Sequence, residues 1–233
     1  FAVVVLLALW RTPATGMTLW TMRLALAGLV VTVLLGSLLA EALARGLALP
    51  LIPLTNIHLA WGLGAWGLML VAAVSYFVVP MFQLTHPYPL WFARGFGPLL
   101  LLAVLVWSGL WLREDTRLAQ VAGLPLALIC TAFGGMTLWL QFTRRRKIDD
   151  ATSLNFRVAM IALLAFALSA ALMAIQPQLA DDPRATVWLG MLAFPGVFVS
   201  TISGMTYKIT PFLNWLHLQR LGAPIAAVPN MKK

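Results

Sequence analysis

Charge is scarce in this 233-residue chain. Only 10% of its residues are Asp, Glu, Lys or Arg, where a soluble domain carries about 25%. With 61% hydrophobic residues and a mean hydropathy of +0.91, too little polar surface remains to cover a soluble fold. The class is an integral membrane protein. Cysteine is almost missing. Cys130 stands alone in an apolar run, which excludes a disulfide framework and a thiolate metal cluster within the chain. Histidine occurs three times, as His58, His86 and His217, with no H-x-x-x-H pair among them. Acids are absent from the interiors of the apolar runs. That argues against a proton pump or ion-coupled transporter, whose ionisable groups sit in mid-membrane. No glycine-rich phosphate loop opens a helix, and the three histidines build no Ser-His-Asp set.

What charge there is has one dominant sign, with a net +9. In a soluble protein that would point to nucleic acid. Here the bases lie between hydrophobic runs, so they serve topology and contact with anionic lipid, and no nucleic-acid partner is expected. The chain opens on Phe1 inside an apolar run, with no basic region ahead of it. A signal peptide is not expected, and the chain reads as a piece whose upstream part is missing.

A spanning helix needs roughly 20 mostly apolar residues. Seven segments meet or approach that. They are A (1–10, a remnant), B (17–43), C (56–83), D (91–112), E (118–142), F (154–175) and G (185–213). They are too long and too uniformly apolar for barrel strands. The expected fold is an all-α polytopic transmembrane bundle, six full spans and a partial one, forming one domain over 1–220 with a tail at 221–233. The clusters "LALPLIPLTN", "THPYP" and "QPQLADDP" separate segments, as Pro and Gly do. Segments C and G both end on an aromatic-proline step, "SYFVVPMF" and "TYKITPFL", with no longer internal repeat.

The loop "RRRKIDD" is the densest basic cluster and is expected on the cytoplasmic side. Counting outward from it puts the A–B and C–D loops and the C-terminal tail on that side. The B–C, D–E and F–G loops fall on the other, where acids offset their bases. The tryptophans mostly flank the segments (Trp10, Trp20, Trp61, Trp91, Trp107, Trp111, Trp139, Trp188 and Trp215), which reads as an aromatic belt.

His58 lies near the start of C, with Asn56 expected as the helix cap. On its face follow Gly62, Ala65 and Met69, then Ala72 or Ala73. Small residues admit either a neighbouring helix or a flat cofactor. Two readings stand. His58 is an interfacial histidine on a packing helix, or it is an iron ligand beside room for a porphyrin. At the other end, Tyr207, Lys208, Asn214 and His217 collect with His86 and Tyr88. Lys208 either snorkels to headgroups or, with His217, binds a haem propionate or an anionic lipid. Pro80, Pro195 and Pro211 are expected to kink C and G.

A histidine at the start of a helix, a small-residue stretch and an aromatic with "VP" some 22 residues on resemble helix two of the haem-copper oxidase catalytic subunit. "VVPMFQ" and "SGMTYKITPFLNWLHL" resemble small oxidase-subunit-like and NnrS-type bacterial membrane haem proteins. The likeness covers mainly residues 56–89 and, more weakly, 203–218. It implies haem as cofactor and His58 as an axial ligand. It also implies electron transfer or nitric-oxide- or oxygen-linked respiration in the bacterial inner membrane, with other respiratory subunits or a cytochrome as partners beside the lipid bilayer. The family's copper ligands and high-spin haem ligand have no counterpart here, so a complete oxidase is not expected. The second axial ligand would come from Met173, Met191, an upstream helix or another subunit. The competing expectation is a cofactor-free membrane scaffold or transporter-like subunit.

Overall fold

The computed structural model describes residues 2–12, 16–113, 116–144, 149–180 and 182–222. They are helical, with no strand among them. The helices are α1 (Ala2–Arg11), α2 (Met17–Arg45), α3 (Leu51–Gln83), α4 (Leu90–Leu112), α5 (Thr116–Val121), α6 (Gly123–Phe142), α7 (Ala151–Ile175), α8 (Pro177–Ala180) and α9 (Pro183–Arg220). Six helices are long and apolar enough to cross a membrane: α2, α3, α4, α5 with α6, α7 and α9. They match segments B to G, and the protein is a multi-pass, all-α membrane protein. Helix α1 covers segment A with 10 residues, about 15 Å.

The boundaries moved where proline was read as punctuation. Segment C was expected to begin after "PLTN", yet α3 starts at Leu51 with Pro50 ahead of it and Pro53 in its first turn. Proline is tolerated there because the first-turn N–H groups have no intrahelical partner. Asn56 is therefore a helical residue and not the cap. Likewise α9 runs through Pro211 to Arg220, beyond the expected end of G. The tail at 221–233 lies almost wholly outside the described residues. Two ends follow local rules. Gly46, at φ 63°, closes α2 in the left-handed region and donates its N–H to the Ala42 carbonyl. Asp150 caps α7 in a reciprocal box with Ser153.

Helices α3, α4, α6, α7 and α9 pack in that order. Close approach of Gly67 to Phe198 and a ring contact between Phe82 and Phe212 (6.2 Å) join α9 back to α3. Five helices thus form a closed ring, and α2 packs outside it, chiefly against α3. The half of the ring near Arg144 is solid. Tyr88 and Phe92 stack at 6.3 Å, Phe92 and Phe96 at 5.9 Å, and Phe96 meets Phe133 at 5.2 Å. Outward-facing positions remain apolar, among them Leu34, Leu102, Leu128, Ile161 and Ile202. Such a surface is stable against lipid and not against water.

Helices α3 and α9 run parallel and share two irregularities. Each contains a π-helical stretch, Ala60–Leu68 and Leu192–Val199. Each has a proline twelve residues past that stretch, Leu68 to Pro80 and Val199 to Pro211. The likeness of "SYFVVPMF" and "TYKITPFL" is thus part of a longer structural correspondence.

Candidate functional site

The small-residue face of α3 is covered. In α2, Gly28, Thr32 and Gly36 recur every fourth residue and form a shallow ridge. That ridge lies antiparallel along Ala65, Gly62 and His58. A Cβ on Gly28 would run into the Ala65 carbonyl, and the Thr32 Cγ2 methyl sits 3.3 Å from where a Cβ of Gly62 would be. Ala65 and Met69 are fully buried. Close approach of two backbones through small residues is the usual packing device of membrane helices. Of the two neighbours that the small residues along Gly62, Ala65 and Met69 admit, a helix or a flat cofactor, α2 takes the place.

His58 stands at the end of this seam. Its ring lies over Gly36, with Cε1 3.0 Å from the site of a Cβ there. Its Nδ1 is 3.1 Å from the Thr32 carbonyl oxygen. A carbonyl only accepts, so Nδ1 carries a proton, and in the neutral ring the lone pair is on Nε2. The ring is half-buried. It is neither fully exposed nor sealed in the core.

The far polar cluster is arranged by ion pairs. Lys208 Nζ lies 3.0 Å from Asp150 Oδ2, so its partner is the acid that caps α7. Asp149 bridges Arg144 and Arg157. Burial opposes the charge on Asp150, but the Ser153 N–H and the Lys208 ammonium outweigh it and hold the carboxyl below its ordinary range. His86 and His217 are both exposed. Phe82 against Phe212 brings the ends of α3 and α9 side by side, but among the described residues no hydrogen bond or ion pair joins the two imidazoles. Lys208 sits one turn before Phe212, which touches Phe82. His58 is 24 residues back from Phe82, roughly 36 Å along the helix. Lys208 and His217 therefore do not meet His58 around one cofactor.

The half of the ring away from Arg144 is hollow. A chamber of about 580 Å³ lies among α3, α4, α6, α7 and α9. On α3 it is lined by Leu59, Ala60, Leu63 and Gly64, whereas His58, Gly62 and Ala65 of the same helix meet α2. Met173 lines the chamber. Met191 is 58% exposed.

The aromatic belt holds only in part. Trp20, Trp91, Trp139 and Trp188 are exposed, but Trp61 is buried and donates Nε1–H to Ser108 Oγ at 3.1 Å. Trp107 and Trp111 face the chamber. Their four-residue spacing was the signal that one helix face turns inward. The Gly28–Thr32–Gly36 ridge was equally legible and was missed. No family model, curated protein or solved structure matches this chain.

Proposed function

We propose that this multi-pass membrane protein binds haem through His58, acting in electron transfer or in nitric-oxide- or oxygen-linked respiration without a complete oxygen-reducing centre. The carrying observation is the hydrogen bond from Nδ1–H to the Thr32 carbonyl. That bond selects the tautomer whose Nε2 can ligate a metal, and it fixes the ring's orientation as the outer-shell partners of ligating histidines do. Gly36 supplies the space in which the ring lies. The imidazole fits the role, whereas the Gly62–Ala65–Met69 face does not, so the porphyrin would lie off the covered seam. A bound haem would supply one-electron chemistry, with its potential set by axial-ligand identity.

The resemblance of residues 56–89 to helix two of the oxidase catalytic subunit supports the same reading. On this reading the protein sits in the bacterial inner membrane, and the basic loop "RRRKIDD" argues for a cytoplasmic C-terminus. The second ligand would come from another chain or an upstream segment. The filled seam favours the competing reading, a cofactor-free bundle. Absorbance separates the two. The purified protein is expected to show a Soret band that His58→Ala abolishes and His58→Met shifts. A spectrum without that band, or one unchanged by either substitution, overturns the assignment.

A further inference from the structure

We infer that the chamber bordered by α3, α4, α6, α7 and α9 is a binding site for a neutral single-chain amphiphile. Two independent features converge on it. First, its lining is graded. Asn56, Gln120 and Thr186 stand at the mouth, and deeper positions such as Leu68, Leu100 and Cys130 are apolar. Second, both π-helical stretches border it, Ala60–Leu68 from α3 and Leu192–Val199 from α9. A π-helical turn inserts a residue, widens the helix, and recurs at functional sites. Two parallel helices widened at the same depth around one space is a built cavity and not a packing lapse.

The lining specifies the ligand. From Gln120 at the mouth to Cys130 at the floor is ten residues, about 15 Å of helix, the reach of roughly a dozen tetrahedral carbons. An apolar space of this kind neither holds water well nor stays empty cheaply. Among the described residues no charged side chain lines it. A carboxylate or phosphate head would find no counter-ion, whereas the amides of Asn56 and Gln120 and the Thr186 hydroxyl both donate and accept. The head is therefore an uncharged oxygen-bearing group, such as an alcohol or ester. This site lies across α3 from His58 and does not depend on haem.

Trp107 and Trp111 report on occupancy. In nanodiscs, 12-bromododecanol is expected to quench tryptophan fluorescence saturably. The quenchable fraction should fall at least two-fold in a Trp107→Phe/Trp111→Phe variant. Ala170→Phe, which projects into the chamber, should weaken binding at least ten-fold. Leu168→Phe, on the lipid-facing side of the same helix, should leave it unchanged. The carboxylate analogue, 12-bromododecanoate, should bind at least ten-fold more weakly. Quenching that does not saturate, or that is equal in the Ala170→Phe and Leu168→Phe variants, reports partition into lipid and overturns the proposal. Equal affinity for the carboxylate overturns the assigned ligand class.

Discussion

At position 28 the absence of a single methyl group lets α2 lie against α3. A Cβ there would meet the Ala65 carbonyl, and backbone cannot rotate aside as a side chain can. Gly28→Ala is expected to destabilise the protein by about 1–3 kcal/mol, the usual cost of overpacking. Gly109→Ala, where nothing lies within 4 Å, should be neutral or stabilise by up to ~1 kcal/mol. Thermal unfolding in detergent measures both, and equal effects would show that the seam is looser than described. Asp150 is the second residue with a sharp consequence. Its folded-state carboxyl lies below the ordinary 3.8, so its contribution is complete above that value. It is lost as pH falls through the depressed one. The stability difference between the wild type and Asp150→Asn should be flat above pH about 5 and shrink in more acidic solution. A difference that instead grew on acidification would reverse the assignment. His58, by contrast, is placed by its neighbours in α2, which its own segment could not reveal.

At the scale of elements, α3 and α6 are held by a buried amide pair. Gln141 Nε2 donates to Gln83 Oε1 at 2.8 Å, and both side chains are almost wholly buried. An interhelical hydrogen bond in a membrane averages only about 0.6 kcal/mol, while a buried polar group left without a partner costs about 1–3 kcal/mol. The orphaning term wins. Gln141→Leu alone should therefore destabilise more than Gln83→Leu/Gln141→Leu together, and a double-mutant cycle on unfolding in detergent reads the difference. Additive losses would show that the two amides act separately. The elements themselves were legible because roughly 20 apolar residues in a row admit one solution in lipid. Their ends were not. Pro53, which suggested a loop, and Pro211, near the expected end of G, were absorbed into helices. A first-turn proline forfeits no bond, and α9 continues through Pro211 to Arg220. The π-helical stretches carried no readable mark, since Ala60–Leu68 contains no proline at all.

For the whole molecule, the alternation of basic and acid-balanced loops fixes which ends share a side. Asp182 and Thr143 stand at opposite ends of α7. The bias toward cytoplasmic bases predicts that Thr143 is the inner one. In a Cys130→Ala background, Asp182→Cys should react with a membrane-impermeant maleimide in intact cells, and Thr143→Cys only after permeabilisation. The opposite pattern would invert the topology. Either way the ring of five helices stands, with a solid aromatic half near Arg144 and a chamber in the other.

Composition and run length alone determined that this chain is an all-helical, multi-pass membrane protein. Hydrocarbon forbids unpaired backbone groups whatever the neighbours are. Which face of α3 is covered, which partner Lys208 takes, and where a chamber remains were decided only by the tertiary structure. In lipid every helix face is apolar, so hydrophobic periodicity no longer distinguishes inside from outside. Helix pairing is instead set by the meeting of small side chains on segments that are distant in the chain.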